Sequence, residues 1–240
     1  MKTMPLLIAL SATLLVPTAC KRADPQAAMA TQQAASEQAA GDAAKAFDAA
    51  VAQQNWALAK AQGEVLLARY PGTAAAQRVR PQLDAVKGKA EGAREQSRTA
   101  ALWSYNVEPV KGGRQLSAAI YARDDIDVDG SGAKPVQLIF RDHPSWGKSS
   151  YLVLQAGDFN CYGGCKVRVT VDDAAPKAMA ASWPKTDEAI AMFIEDERAL
   201  WRLTRDAKRI TIEFPVKPTG TRKAVFEVGG LDRARLPAWN

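Results

Sequence analysis

The sequence predicts an α+β chain of more than one domain. A helical segment covers residues 41–98, and a mostly β domain, a sandwich or open barrel with one helix, covers residues 101–240. Three observations lead there. Between residues 42 and 96 apolar side chains recur at spacings of three and four, the period of one helix face. After residue 100 the apolar runs become short and rich in β-branched and aromatic residues, with Gly, Pro and Asp separating them every 8–15 residues. Within that β-like stretch one segment, Glu197–Ala207, returns to helical spacing through Leu200 and Leu203, with Trp201 beside them.

The N-terminus comes before any domain. Lys2 supplies a positive start, Leu6 to Val16 is apolar apart from Ser11 and Thr13, and Thr18 and Ala19 are small. This is the layout of a secretory signal, and the run is shorter than the roughly 20 residues a spanning helix needs. The ending Val16-Pro17-Thr18-Ala19-Cys20 resembles the lipobox of bacterial lipoproteins. The resemblance implies removal of residues 1–19 and diacylation of the Cys20 thiol, with lipid holding the chain to an envelope membrane. Pro17 stands where that family prefers Leu, and an ordinary signal cleaved near Ala19 is the alternative. Lys21 rather than Asp after the cysteine implies, by resemblance to enterobacterial sorting, the outer membrane, facing the periplasm.

Residues 20–40 are rich in Ala and Gln, with Met29 the one large apolar residue, and read as a flexible tether, frayed or weakly helical. Phe47, Ala50 and Val51 then mark a first helix, and Gln53-Gln54-Asn55 breaks it. Trp56, Ala59, Gly63, Leu66 and Tyr70 form the stripe of a second, ended by Pro71-Gly72. Thr73 is placed to cap a third, carrying Ala76, Val79, Leu83, Val86 and Ala90, in which Pro81 should make a kink or a break. Residues 88–100 read as a helix tail or linker.

Two stretches of this region, Asn55-Trp56-Ala57-Leu58-Ala59 and Leu66 through Tyr70-Pro71-Gly72-Thr73 to Ala76, resemble a tetratricopeptide repeat. The likeness is nearest to the variety in outer-membrane assembly lipoproteins and cell-envelope coordinator proteins. It implies helix-on-helix packing through the small residues, a new repeat opening at the Tyr-Pro-Gly-Thr-Ala stretch, and a protein partner, with Trp56 and Tyr70 as candidate contacts. Such arrays usually need at least three repeats to bury a continuous core. The likeness here spans one and a half.

In the second domain the expected strands are Gln115–Arg123, Val136–Arg141, Tyr151–Gln155, Lys166–Val171, Met179–Trp183, Ala189–Ile194, Arg209–Pro215 and Lys223–Val228. Alternation is clearest in Val167, Val169 and Val171. The order of elements is faintly similar to the β domains of invasion-associated and type VI secretion accessory proteins, with no motif that carries residues across.

Several residues have the right type for chemistry. Cys161 and Cys165 flank Tyr162-Gly163-Gly164, a turn that an oxidising compartment would staple with a disulfide. Asp125, Asp127 and Asp129, with Gly130, resemble the opening of an EF-hand calcium loop, but Val136 occupies the twelfth place, where that motif needs Glu. His143 is the single histidine, and Asp142 and Ser145 beside it are too near in sequence to converge as a triad. Trp103 and Trp146 flank expected strands as candidate partner anchors, together with Tyr105, Tyr162 and Trp239.

No P-loop, dinucleotide glycine pattern or His-based metal motif occurs, so no cofactor is implied. The net charge of +6 is thinly spread. Residues 20–100 hold 11 Lys/Arg against 8 Asp/Glu, and residues 101–240 hold 20 against 18, so no basic stripe invites nucleic acid. The expected function is therefore non-catalytic, an envelope-anchored interaction or scaffold module. The alternative is a periplasm-facing β domain that binds a ligand or inhibits a hydrolase. Because only a thiol accepts the diacylglycerol, Cys20→Ser should abolish metabolic palmitate labelling of the chain. Equal labelling of wild type and variant would remove the anchor.

Overall fold

The computed structural model describes residues 24–183, 190–218 and 220–239. The expected signal, Cys20 and Ala189 lie outside the described residues. The chain divides into two compact units, Met1–Lys87 and Gly88–Asn240, and its architecture is α+β with a mostly β second unit.

The first unit is built from α1 (Pro25–Ala52), α2 (Trp56–Arg69) and the first part of α3 (Ala74–Ala100). The flexible tether expected up to residue 40 is corrected: α1 already begins at Pro25. Alanine is the strongest helix former, so a stretch too poor in large side chains to build a core is still rich enough to wind. Asp24 caps it by accepting the Gln26 N–H at 2.9 Å, and Pro25 takes the first position, where its missing N–H costs no hydrogen bond. Ala40, Ala44, Phe47 and Ala50 form the buried stripe. Asn55 starts α2 by accepting the Leu58 N–H at 3.1 Å. Ala59, Gly63 and Leu66 of α2 face the α1 stripe. A Cβ on Gly63 would lie 2.8 Å from Leu83 Cδ1 and 3.2 Å from Phe47, so any larger residue would make Leu83 shift and the Phe47 ring give way slightly. Thr73 caps α3 through the Ala76 N–H at 3.3 Å. The expected break at Pro81 does not occur; α3 runs through it to Ala100, with Pro81 on the exposed side.

The second unit is one antiparallel sheet. Its strands are β1 (Trp103–Val110), β2 (Gly113–Tyr121), β3 (Val136–His143), β4 (Gly147–Leu154), β5 (Asp158–Phe159), β6 (Cys165–Val171), β7 (Lys177–Ser182), β8 (Ala191–Ile194), β9 (Ile210–Lys217) and β10 (Gly220–Phe226). A short helix, α4 (Glu197–Leu203), precedes β9. The order across the sheet is β1-β2-β3-β4-β8-β7-β6-β9-β10, with β5 paired to β9. Burial alternates along the central strands, with Val136, Leu138 and Phe140 inward on β3 and Ile210, Ile212, Phe214 and Val216 inward on β9. These residues belong to one continuous core rather than two. The sheet therefore curls, and Arg123, just past β2, donates to the Val225 carbonyl of β10 at 2.7 Å from near the opposite edge.

Two strands escaped the sequence reading. In β1, an edge strand, only Trp103 is fully buried, so water on most side chains erases the alternation, and Pro109 is tolerated because an edge needs fewer donors. β5 is two residues long. The expected helix to Ala207 stops at Leu203, where Thr204 Oγ1 donates back to the Trp201 carbonyl at 2.7 Å. Within this unit Gly230 approaches the backbone at the end of α3. Its φ is +76°, and a Cβ there would stand 2.4 Å from Ala100 N. Gly230→Ala should therefore lower stability by about 2–3 kcal/mol, since backbone cannot yield as a side chain does. Gly41→Ala, with nothing within 4 Å in mid-helix, should be neutral or stabilising by up to ~1 kcal/mol. Thermal melts of the two variants check both signs.

Candidate interaction surfaces

The β3–β4 hairpin carries the most organised exposed side chains in the second unit. His143 pairs with Gly147 across the hairpin, and Pro144, Ser145 and Trp146 make the turn. The His143 ring is buried under Trp146, stacked at 3.8 Å between centroids and 13° from parallel. Its Nδ1 accepts the backbone N–H groups of Ser145 at 3.1 Å and Trp146 at 3.2 Å, so that nitrogen carries no proton. Arg141 lies two residues back on the same face. Its guanidinium carbon sits 5.4 Å from the centre of the Trp146 ring and 5.3 Å from that of Tyr151, and its Nε donates to Ser149 Oγ at 3.2 Å. Tyr151 in turn leans on Phe193 at 5.0 Å. Burial pushes the Tyr151 hydroxyl pKa up, and the Arg141 charge opposes the rise. Trp146 thus remains 71% exposed while its ring is held from below by His143 and from the side by Arg141. A catalytic arrangement does not form here. Asp142 alternates to the other face of β3, and the Ser145 group that meets His143 is its backbone N–H.

The other aromatic candidates divide. Trp103 is corrected as an exposed anchor: it is 6% exposed and packs on Phe140 in the core. Trp239 is likewise buried, against Phe140 and Trp201. The Tyr105 hydroxyl accepts the Asp232 N–H at 2.7 Å. Tyr162 stands in water beside Trp183, while Trp56 and Tyr70 are half-buried in the first unit. Sequence reasoning passed over Arg141, Tyr151 and Phe193. The i, i+2 spacing of Arg141 and His143, had the expected strand Val136–Arg141 been carried two residues further, was the available signal that they share a face.

The cysteine pair is a disulfide, with Cα atoms 4.9 Å apart and Cys161 buried. Gly163 and Gly164, at φ +75° and +101°, make the reversal that lets so short a ring close. In the Asp-rich loop the carboxylates serve the backbone. Asp127 accepts the Gly130 N–H at 2.7 Å and Asp129 the Ser131 N–H at 2.9 Å, and the bonds from Ser131 hold the Asp129 carboxyl below its ordinary range. Among the described residues no group of three or more His, Cys, Asp or Glu is arranged to hold a metal ion.

Each unit also has a concave surface. In the first unit a cleft of about 450 Å³ lies between α1, through Met29, Gln33 and Glu37, and the Arg69–Thr73 turn. On α2 the side chains of Leu58 and Val65, seven residues apart on one face, are 43% and 44% exposed, on the flank of the buried stripe formed by Ala59, Gly63 and Leu66. In the second unit a cleft of about 600 Å³ is lined by Glu95, Thr99, Arg123, Lys208, Arg209 and Glu227. Arg98 is bonded to both Glu95 and Glu227, at 2.7 and 2.6 Å, which raises its pKa.

No family model and no curated protein matches the chain. Among solved structures, invasion associated protein B from Bartonella henselae is similar at 14% identity and a TM-score of 0.37, over 57% of this chain and 91% of that one.

The loop geometry generates a prediction. Because Asp127 and Asp129 already hold backbone N–H groups, calcium should leave the melting temperature unchanged. An ion bound at 100 times its dissociation constant would add about 2.7 kcal/mol. A melt that rises with calcium in wild type but not in Asp127→Ala would reinstate the metal site.

Proposed function

We infer that this protein is an envelope-anchored lipoprotein, held by lipid on Cys20 at the periplasmic side of the outer membrane, that acts as a protein-interaction scaffold and not as a catalyst. In this reading the first unit is a helical hairpin of tetratricopeptide type and the second an open-barrel β domain presented beside the membrane. One observation carries it: α2 has a second apolar stripe, Leu58 and Val65, turned to water on the flank of the stripe that is already buried. A single exposed leucine is ordinary. A leucine and a valine together on one face of a short helix, in a unit with too few repeats to continue its own stack, are what a partner helix would cover. The half-buried rings of Trp56 and Tyr70 lie at the two ends of that helix.

A second reading, a β domain that binds a ligand or inhibits a hydrolase, is favoured by the cleft around Arg123, Lys208, Arg209 and Glu227. Stoichiometric inhibition of lysozyme by the full chain, lost in Arg123→Glu, would put this reading ahead of the scaffold. For the scaffold itself, a photo-crosslinking side chain placed at position 58 or 65 in living cells should yield one discrete adduct, and Leu58→Glu should abolish the adduct from position 65. A probe at the exposed Gln82 is the control. Indistinguishable patterns from all three positions, or no adduct from 58 and 65, would overturn it.

A further inference from the structure

We propose that the Trp146 hairpin tip is a docking point for an anionic phospholipid surface. This goes beyond the scaffold reading and does not depend on the α2 face. The first argument is shape. Protein partners are usually met by broad surfaces of about 800 Å² a side. Here one indole ring stands out alone on a three-residue turn, 71% exposed. A single ring with an apolar body and a polar N–H suits the headgroup layer of a membrane, where tryptophan is enriched.

Charge is the second argument. A Cβ on Gly113 would lie 3.5 Å from Pro144 Cβ, so the β1–β2 turn lies alongside the Trp146 turn. Between them, residues 110–115 and 141–148 carry Lys111, Arg114, Arg141 and Lys148 against the single carboxylate Asp142. Lys111 and Arg114 are exposed, and Lys148 is partly so. Each cation near an anionic surface contributes on the order of 1 kcal/mol, and long basic side chains can reach phosphates while the ring sits deeper.

Rigidity is the third argument. His143 and Arg141 already fix Trp146, so insertion orders little that was free. The positive charge of Arg141 beside the ring also places a phosphate partner next to the indole.

The test uses the mature chain, residues 20–240, with Cys20→Ser, so that neither the apolar signal nor an acyl chain does the binding. Vesicles of phosphatidylglycerol with phosphatidylcholine should cosediment this protein, and vesicles of phosphatidylcholine alone should not. Trp146→Ala should largely abolish binding and Trp146→Tyr should keep most of it. Lys148→Gln should weaken binding roughly fivefold, the equivalent of ~1 kcal/mol. Bromine-labelled lipid should quench a component of the emission present in wild type and missing in Trp146→Ala. Trp146 is exposed, so melting temperatures of the variants should match the parent and exclude misfolding as the cause. Three outcomes each overturn the proposal. Trp146→Ala could bind as well as wild type. Inorganic phosphate at modest concentration could compete the protein off, which would assign a free-anion site. Or the tip could bind a polyglutamate surface while vesicles leave Trp146 unquenched, which would assign an acidic polypeptide.

Discussion

Phe140 lies at the point where the curled sheet, the short helix and the C-terminal segment meet, and the β unit depends on that meeting. Its ring is 5.1 Å from Trp201 of α4, 5.5 Å from Trp239 and 6.2 Å from Trp103 of β1, two of these contacts being edge-on. Edge-to-face pairs add about 0.5–1.5 kcal/mol each beyond burial, and each aromatic ring buries a large apolar area. The consequence is topological as well as energetic. β1 is an edge strand with one buried side chain, and that side chain is Trp103. Phe140 gives the one fully buried side chain of this edge its aromatic contact, while the β1–β2 ladder and the Tyr105 hydroxyl, which accepts the Asp232 N–H, hold the rest of the strand. Trp239 likewise fastens the chain's last turn to a strand about a hundred residues earlier. Arg233 lies over the outer part of this cluster, 4.2 Å from the Trp201 ring, and burial lowers its pKa.

The helical unit is held differently. Its interior is mostly alanine, glycine and valine around the single Phe47 ring, so cohesion comes from close backbone approach rather than from bulk. Gly63 is the residue that permits it. A core of small side chains buries little apolar area per residue, and its surface ion pairs, such as Arg78 with Asp48, are half-exposed and contribute little. A unit of this kind gains more from covering an exposed stripe than a densely packed domain does. The same physical fact explains its modest core and is what the proposed partner on α2 would draw on.

Much of this was legible in the sequence. The break at Gln53-Gln54-Asn55, the cap at Thr73, the stripe through Ala59, Gly63 and Leu66, and most central strands follow from short-range rules, chiefly the alternation of side chains between a buried and a wet environment. Where that contrast vanished, the reading failed. β1 is wet on nearly every position, and residues 25–40 are wet on nearly every position of a helix, so neither shows a period. The residues around Trp146 were missed for another reason. Arg141, Tyr151 and Phe193 come from three strands, and only the register that places Tyr151 opposite both Ile139 and Phe193 brings them together. Sequence spacing identified Trp146 as a loop aromatic. It could not supply the histidine beneath the ring as a support rather than a catalyst.

That support changes what the exposed ring means. An aromatic side chain left free in a loop loses rotamer freedom whenever it binds, a cost of about 0.5–1.5 kcal/mol for a mobile side chain. In this hairpin the folding of the strand has already met that cost. His143 cannot accept the two turn N–H groups unless the turn is closed, and a closed turn leaves Trp146 stacked on the imidazole. The sole histidine is buried with its Nδ1 turned to the two N–H groups of the turn, which need an acceptor there. The exposed ring and the Arg141 guanidinium beside it are accordingly held by the hairpin's own contacts before any partner arrives.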